Sequence, residues 1–473
     1  MNAPSFQFLG FAVVGAVLFN LSGALIWRRL VLLALNLVFF ALFASGVVSV
    51  LPFAAFLLTG YLGVVLLRNR PSQGLFLAFL ALVLFEFFWL KRYSFIPGSI
   101  TLPFVYVTIG LSYVFFRVLH LVIEAQQGGL KARVSPLSYV NYTLNFPALI
   151  SGPIQLYPDY HRMESQERLP LDVFVVGEAA WRVAIGFFKV VIVSALLMKA
   201  QQACIAALGP DLPFASKALY GALIGAIYPF FLYANFSGYT DFVIGVAKLY
   251  RFDLPENFNN PFVSENFIAF WSRWHITLSS WLKTYVYTPV LLTCMRRVTA
   301  RWAEPYFAVL AYFITFFLVG AWHGQTSMFL FFGVLQGGGV AANKLYQIVM
   351  GQRLGRAGYR KLSENVLYRS LSRGLTFTWF AFTLLWFWSS WSQLGGFISA
   401  LGAPALLAAW SLVFITSSAA LAWLAEGQVR AARHPWLGSR YVRTVQFTVM
   451  VLIVLISVLI VGGPAPDIVY KNF

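Results

Sequence analysis

Twelve mostly apolar stretches divide the chain, near residues 6–27, 30–48, 50–67, 74–90, 99–123, 172–200, 216–234, 307–322, 326–349, 375–391, 404–424 and 444–462. About 20 such residues make a helix long enough to cross the hydrocarbon core of a bilayer. In lipid only helices and closed barrels satisfy every backbone polar group, and runs of this length read as helices. The expected fold is an all-α polytopic membrane protein of ten or eleven spans, with some shorter stretches buried or re-entrant. Composition agrees: of 473 residues, 60% are hydrophobic, 18% aromatic and only 11% charged. A soluble domain carries about 25% charged residues.

The formal net charge is +18. In a soluble protein this would suggest nucleic acid. Here the basic residues fall in short loops, which the positive-inside rule explains, and no nucleic-acid partner is expected. A basic cytoplasmic face also attracts an anionic carrier, so orientation and docking both stay open. Placing Arg28, Arg29, Arg68, Arg70, Lys131 and Arg133 in the cytoplasm puts the N-terminus outside, and leaves Lys91 and Arg92 on the opposite side. The basic loops 351–374 and 426–443 are separated by two spans and share one side. The first apolar run lacks the basic flank of a signal peptide and reads as a retained span. Neither the cysteines (204 and 294) nor the histidines (120, 161, 275, 323 and 434) show metal-ligand spacing, so no metal is expected.

Two segments do not read as simple spans. Ser135–Ser165 has prolines at 136, 147, 153 and 158, which no uninterrupted helix survives. Asn235–Pro289 is too polar for lipid and too aromatic for a free loop. It reads as amphipathic helices that lie in the interface or dip into the bundle. In it, "NFNNPF" (257–262) carries turn chemistry, and "SGPI" (151–154) in the first segment reads as a kink lining a cavity.

Two Trp-His pairs hold the candidate chemistry. His323 ends the span 307–322, where an ionisable side chain is a functional candidate by default. An imidazole near pKa 6.5 can accept a proton from a hydroxyl at neutral pH. The alternative is an interfacial histidine bonded to backbone. His275 lies in "WSRWHITLSSWL", where helical spacing puts Trp271, Trp274, Thr277 or Leu278, and Trp281 on one face. That stripe is a belt or packing, and His275 points about 100° away from Trp274. A tunnel-lining role and plain packing both fit it. Asp241, in an apolar context, needs a partner such as Arg273 or a histidine, or else faces water. His120 reads as packing or a helix-end contact.

The stretches "NFSGYTDFVIGVAKLYRFDLPENFNNPF", "FWSRWHITLSSWLKTYVYTPV" and "GAWHG" together resemble the membrane-bound O-acyltransferase superfamily. More narrowly they are similar to its bacterial cell-envelope branch, which includes alginate O-acetyltransferases and teichoic-acid D-alanyl transfer proteins. "TIGLSYVFFRVLHLVIEAQQG" and "NFPALISGPI" match the same branch in order and spacing. The resemblance covers about residues 100–350 and is specific through the motifs taken jointly. "SGYTD" and "WHITLSSWL" lean towards the alginate type, while "FFRVLHLVIE" and "ISGPI" lean towards the D-alanyl type. The alginate-type "PLGG" is absent, and its second His-Gly is Gln336-Gly337 here.

The resemblance implies a ring of about ten or eleven transmembrane helices with interfacial or re-entrant helices around a tunnel. It implies one integral membrane domain over 1–473, with a catalytic core at 100–350 and C-terminal transmembrane helices at 351–473. The family's signature histidines map onto His275 and His323. Arg273, Trp274, Trp322 and Asp241 are the candidate substrate or donor contacts. The implied activity is O-acylation: an acyl group, acetyl first, passes from a cytosolic thioester to an extracytoplasmic polysaccharide. The donor is acetyl-CoA or an acylated carrier protein. D-alanyl transfer to teichoic acid or another envelope polymer is the alternative, and a transporter or polymer-export subunit a third. A periplasmic acetylase or small relay protein, a polysaccharide biosynthesis complex and membrane lipids are the expected partners. The expected location is the bacterial inner membrane.

Overall fold

The structure, a computed structural model, describes residues 4–166, 171–432, 434, 436 and 439–458. Among these residues the chain is helical throughout, and the only β pairing is an isolated bridge between Phe258 and Trp274. The α-helices run α1 Phe6–Asn20, α2 Leu25–Ala41, α3 Val47–Asn69, α4 Gln73–Leu90, α5 Leu111–Gln127, α6 Pro136–Leu144, α7 Tyr157–Ser165, α8 Val173–Phe187 and α9 Ala195–Ala207. They continue with α10 Phe214–Leu249, α11 Phe267–Trp271, α12 Ile276–Leu282, α13 Thr288–Arg297, α14 Glu304–His323, α15 Ser327–Glu364, α16 Val366–Trp388, α17 Trp391–Ala432 and α18 Arg440–Ile456.

Among the described residues, six helical stretches are long and apolar enough to cross a membrane: Val47–Asn69, Gln73–Leu90, Val173–Ala207, Phe214–Leu249, Glu304–His323 and Trp391–Arg430. Their outer faces explain why. On α3, Leu51, Leu58, Leu62 and Leu66 stand exposed at helical spacing, while Phe53, Phe56, Gly60 and Leu67 are buried. A helix apolar on both faces belongs in lipid. The protein is an all-α, multi-pass membrane protein. The ten or eleven expected spans include helices that fall short in length, such as α1 and α2, or carry more charge, such as α15 and α16.

Several boundaries differ from the hydropathy reading. The stretch 99–123 becomes helical only at Leu111, because Gly110 takes a left-handed turn (φ 74°). A Cβ there would meet the Leu149 carbonyl at 2.7 Å. The stretch 216–234 continues as helix to Leu249, so "SGYTD" sits inside α10 rather than in an interfacial helix. The basic loop 351–374 is largely helical, formed by the end of α15 and the start of α16. Both α15 and α17 bend at a left-handed glycine, Gly355 (φ 68°) and Gly402 (φ 69°). Of the stretch 444–462, residues beyond 458 lie outside the described residues, as do four positions of the loop 426–443.

Contacts divide the chain into two compact units. One contains the described residues up to Val190 and Phe236–Pro255, the other Val191–Asn235 and the described residues from Glu256 to 458. The first unit holds the proline-rich segment. It breaks into α6, a turn of 3-10 helix at Phe146–Ala148, and α7. Arg117 of α5, 1% exposed, anchors it by donating to the carbonyls of Tyr142 (3.3 Å), Thr143 (2.8 Å) and Ala148 (2.9 Å). Nε2 of His120, buried inside α5, accepts the backbone N–H of Tyr157, the first residue of α7, at 3.1 Å. Backbone bent out of a helix must find partners inside the protein, and these two side chains supply them.

Candidate active site

In the second unit the "WSRWH" stretch does not form one helix. α11 ends at Trp271, and His275 takes a left-handed conformation (φ 45°, ψ 54°) at the N-cap of α12. The expected tryptophan stripe is therefore broken: Trp271 and Trp274 do not share a helix with Trp281. A left-handed residue other than glycine costs about 1–2 kcal/mol and persists only where its surroundings fix it.

Asn257 fixes it. Its carbonyl accepts Ile276 N–H at 3.0 Å, and its side-chain oxygen accepts Thr277 N–H (3.2 Å) and the Thr277 hydroxyl (2.6 Å). Asn259 N–H donates to the Arg273 carbonyl at 2.9 Å, beside the bridge between Phe258 and Trp274. The turn expected in "NFNNPF" is present, with Asn260 left-handed (φ 46°) before a 3-10 turn at Pro261–Val263. Trp274 is wedged among Phe258, Phe270 and Phe380, with ring centroids 5.1, 5.6 and 5.0 Å away. The backbone on both sides of His275 is thus held while its imidazole is turned inward, 1% exposed.

His323 closes α14 and is also buried, at 2% exposure. Its ring packs against Phe387 (5.1 Å) and Phe332 (6.0 Å). Small residues let α14 and α15 approach closely. Gly320 lies against the Gly333 backbone, and Cβ atoms at Gly333 and Gly337 would meet the carbonyls of Phe317 and Phe313 at 2.5 and 2.6 Å. Gly324 leaves room for the Phe329 ring directly after the histidine.

Trp322 lies close to both imidazoles, its ring centroid 6.4 Å from that of His275 and 4.7 Å from that of His323. The histidines, 48 positions apart in sequence, are both buried and both lie close to the Trp322 ring. Burial pushes the His275 pKa down from its ordinary value, so the ring is neutral at pH 7. It then offers one N–H and one lone pair. This pair is fitted to take a proton from a bound hydroxyl and to hold a carbonyl oxygen. Gln336, where the resemblance would place a further histidine, is fully buried. It accepts from Trp271 Nε1 (3.3 Å) and donates to the Thr383 hydroxyl (2.8 Å).

Arg273 is half-buried beside this site. Asp241 lies in the first unit, and its partners are Arg182 and Lys189 of the preceding membrane helix rather than Arg273 or a histidine. Lys189 Nζ is 2.6 Å from Oδ2, and Arg182 binds Oδ1. Lys189 belongs to a π-helical segment, Phe188–Ser194, which joins α8 to α9. Sequence reasoning missed Arg182, Lys189 and Asn257. The two cations could have been found as charges inside an apolar span; Asn257 gave no signal beyond its turn. Among the described residues no group of three or more His, Cys, Asp or Glu side chains is placed to hold a metal ion.

Residues 70–387, which contain every residue of this site, match the MBOAT, membrane-bound O-acyltransferase family. The chain is 30% identical over 231 residues to the teichoic acid D-alanyltransferase of Bacillus subtilis, covering 48% of this chain and 56% of that protein. It is 30% identical over 337 residues to the probable alginate O-acetylase of Pseudomonas putida, covering 68% and 66%. It is 31% identical over 219 residues to the peptidoglycan O-acetyltransferase of Helicobacter pylori, covering 44% and 38%. The chain thus spans less than two thirds of the length of each of these relatives.

Proposed function

Because the chain belongs to the membrane-bound O-acyltransferase family, we propose that it carries an acyl group, acetyl in the first instance, from a thioester donor to a hydroxyl of an extracytoplasmic polysaccharide. The observation that carries this reading is the pair of buried histidines, His275 and His323, both close to Trp322. His323 acts as general base. It takes the proton of the acceptor hydroxyl as that oxygen attacks the thioester carbonyl, and the thiolate leaves with a proton. His275 donates its N–H to the carbonyl oxygen or orients the acceptor. Arg273 and Trp322 contact the donor near the histidines. General base catalysis of this kind is worth about 10²–10⁴-fold in rate, and exclusion of water protects the thioester from hydrolysis. The donor is acetyl-CoA or an acylated carrier protein, and the protein works in the bacterial inner membrane.

D-alanyl transfer is the second reading. It is favoured by the match to the D-alanyltransferase and by the stretch "FFRVLHLVIE" (115–124), which leans towards the D-alanyl type. Membranes containing the protein, given labelled acetyl-CoA or a labelled D-alanyl carrier, decide between them by which label reaches polymer. His323→Ala should remove that transfer with protein level unchanged. Full transfer by both His323→Ala and His275→Ala would overturn the acyltransferase reading. A periplasmic acetylase or relay protein, within a polysaccharide biosynthesis complex, completes the reaction. Polymer acylation by the purified chain alone would overturn that part.

A further inference from the structure

The two faces of α16 serve different neighbours. Phe380 and Phe387 pack on Trp274 and His323, and Thr383 binds Gln336, so that face belongs to the histidine site. Phe382, Leu385 and Trp386 stand on the opposite face of the helix. With α10 and α17 they enclose a cavity of about 140 Å³ that lies wholly within the second unit and has an almost entirely apolar wall. The sequence explains the space. Gly402 (φ 69°) breaks α17 into two pieces. Leu394, Phe397 and Leu401, three and four positions apart, turn one side of the first piece to the cavity. Leu406 and Trp410, four apart, do the same from the second piece. α10 contributes Gly221 and Gly225, where a Cβ would meet α17 side chains at 3.1 and 3.0 Å.

Close-packed interiors leave few voids larger than a water molecule. An apolar space of this size stays dry and takes up a hydrocarbon group as large as benzene. Ile398 is part of the wall and is 56% exposed, so the cavity reaches the outer surface of the protein. α10 and α17 belong to stretches long and apolar enough to cross a membrane, and the medium against such helices is lipid chains, not water. Trp386 adds a polar requirement. Its Nε1 is buried and has no acceptor among the described residues, and a buried donor left unmet is costly. A molecule with an apolar chain and a carbonyl oxygen at its end satisfies both the wall and the donor. We propose that this cavity binds one acyl chain of a membrane phospholipid, whose ester carbonyl accepts the Trp386 N–H. The site lies on the far side of α16 from His323 and does not depend on the acyl-transfer reading.

The test uses the full chain in nanodiscs of phosphatidylcholine that carries a diazirine on one acyl chain, with the crosslinked peptides mapped after illumination. Labelling of the cavity wall should exceed that of the exposed α3 leucines, Leu58 and Leu62, several-fold. Leu406→Trp fills the cavity and should cut wall labelling several-fold while labelling of α3 stays the same. Where Leu406→Trp fails to fold, Ile398→Trp at the rim should give the same loss. An ether-linked lipid with the same diazirine chain lacks the carbonyl and should label the wall about threefold less than the ester lipid. Trp386→Phe should erase that difference. Wall labelling no higher than that of α3, or unchanged in the filled variants, would overturn the proposal and leave the cavity an empty void. Displacement of the label by a polyprenyl phosphate but not by unlabelled phosphatidylcholine would overturn the choice of occupant. Equal labelling by ester and ether lipids would overturn the contact with Trp386.

Discussion

His275 answers to two separate demands, one from its backbone and one from its ring. Glycine at 275 meets the first and alanine meets neither. His275→Gly should therefore be more stable than His275→Ala by about 1 kcal/mol, read from thermal melts in detergent, although both lack the imidazole. Removing the support instead of the ring has a different signature. Asn257→Ala deletes the side-chain oxygen that holds Thr277 N–H and its hydroxyl. It should cost about 1–3 kcal/mol and lower transfer activity with His275 still present. At Asp241 the expectation is larger. Asp241→Asn leaves Arg182 and Lys189 without their carboxylate, for a loss of about 3–5 kcal/mol, and Lys189→Met in the same chain should recover part of it. That Asp241 needs a partner is legible in sequence. Which partner is not, because Arg182 and Lys189 lie 59 and 52 positions away. The histidine pair was legible only because its flanking motifs match a family as a set.

Helices show where local pattern is overruled by neighbours. Helical periodicity in "FWSRWHITLSSW" is genuine on each side of His275, but pairing of Phe258 with Trp274 and the Asn257 contacts break the helix between them. Those partners come from a preceding loop, which a periodicity argument cannot see. The reverse holds for α14 and α15, whose contact is written in "GAWHG" and "FFGVLQGGG". There glycines at 320, 333 and 337 face another backbone, whereas a Cβ at Gly338 would meet nothing. Gly333→Leu should force these helices apart, lower the melting temperature and displace His323, with loss of activity. Gly338→Ala, on the same helix, should be neutral or slightly stabilising by about 0.5–1 kcal/mol. A comparison of the two melts and turnover rates checks both expectations.

For the molecule as a whole, the distribution of charge sets orientation. The cytoplasmic assignment of the basic loops predicts that exposed positions 72 and 356 face inward and position 94 outward. With Cys204 and Cys294 replaced by serine, an impermeant maleimide on intact cells should label Ser94→Cys and spare Ser72→Cys and Arg356→Cys. Equal labelling at 72 and 94 would exclude this orientation. The membrane class and helical fold were legible because apolar length is a local property; the ends of the helices were not, because left-handed glycines and long-range contacts fix them. Gly355 and Gly402 bear directly on the surrounding lipid. Unbent, the 38 residues of α15 and the 42 of α17 would reach about 57 and 63 Å, against a hydrocarbon layer of about 30 Å. One bend in each rod leaves a longer piece, residues 327–354 and 403–432, of about 42 and 45 Å, and a short piece of about ten residues free to run in another direction. A longer piece of this size still exceeds the layer, so it must tilt or stand out of it, and the short piece beyond each glycine is where the chain can turn along the membrane surface instead of away from it.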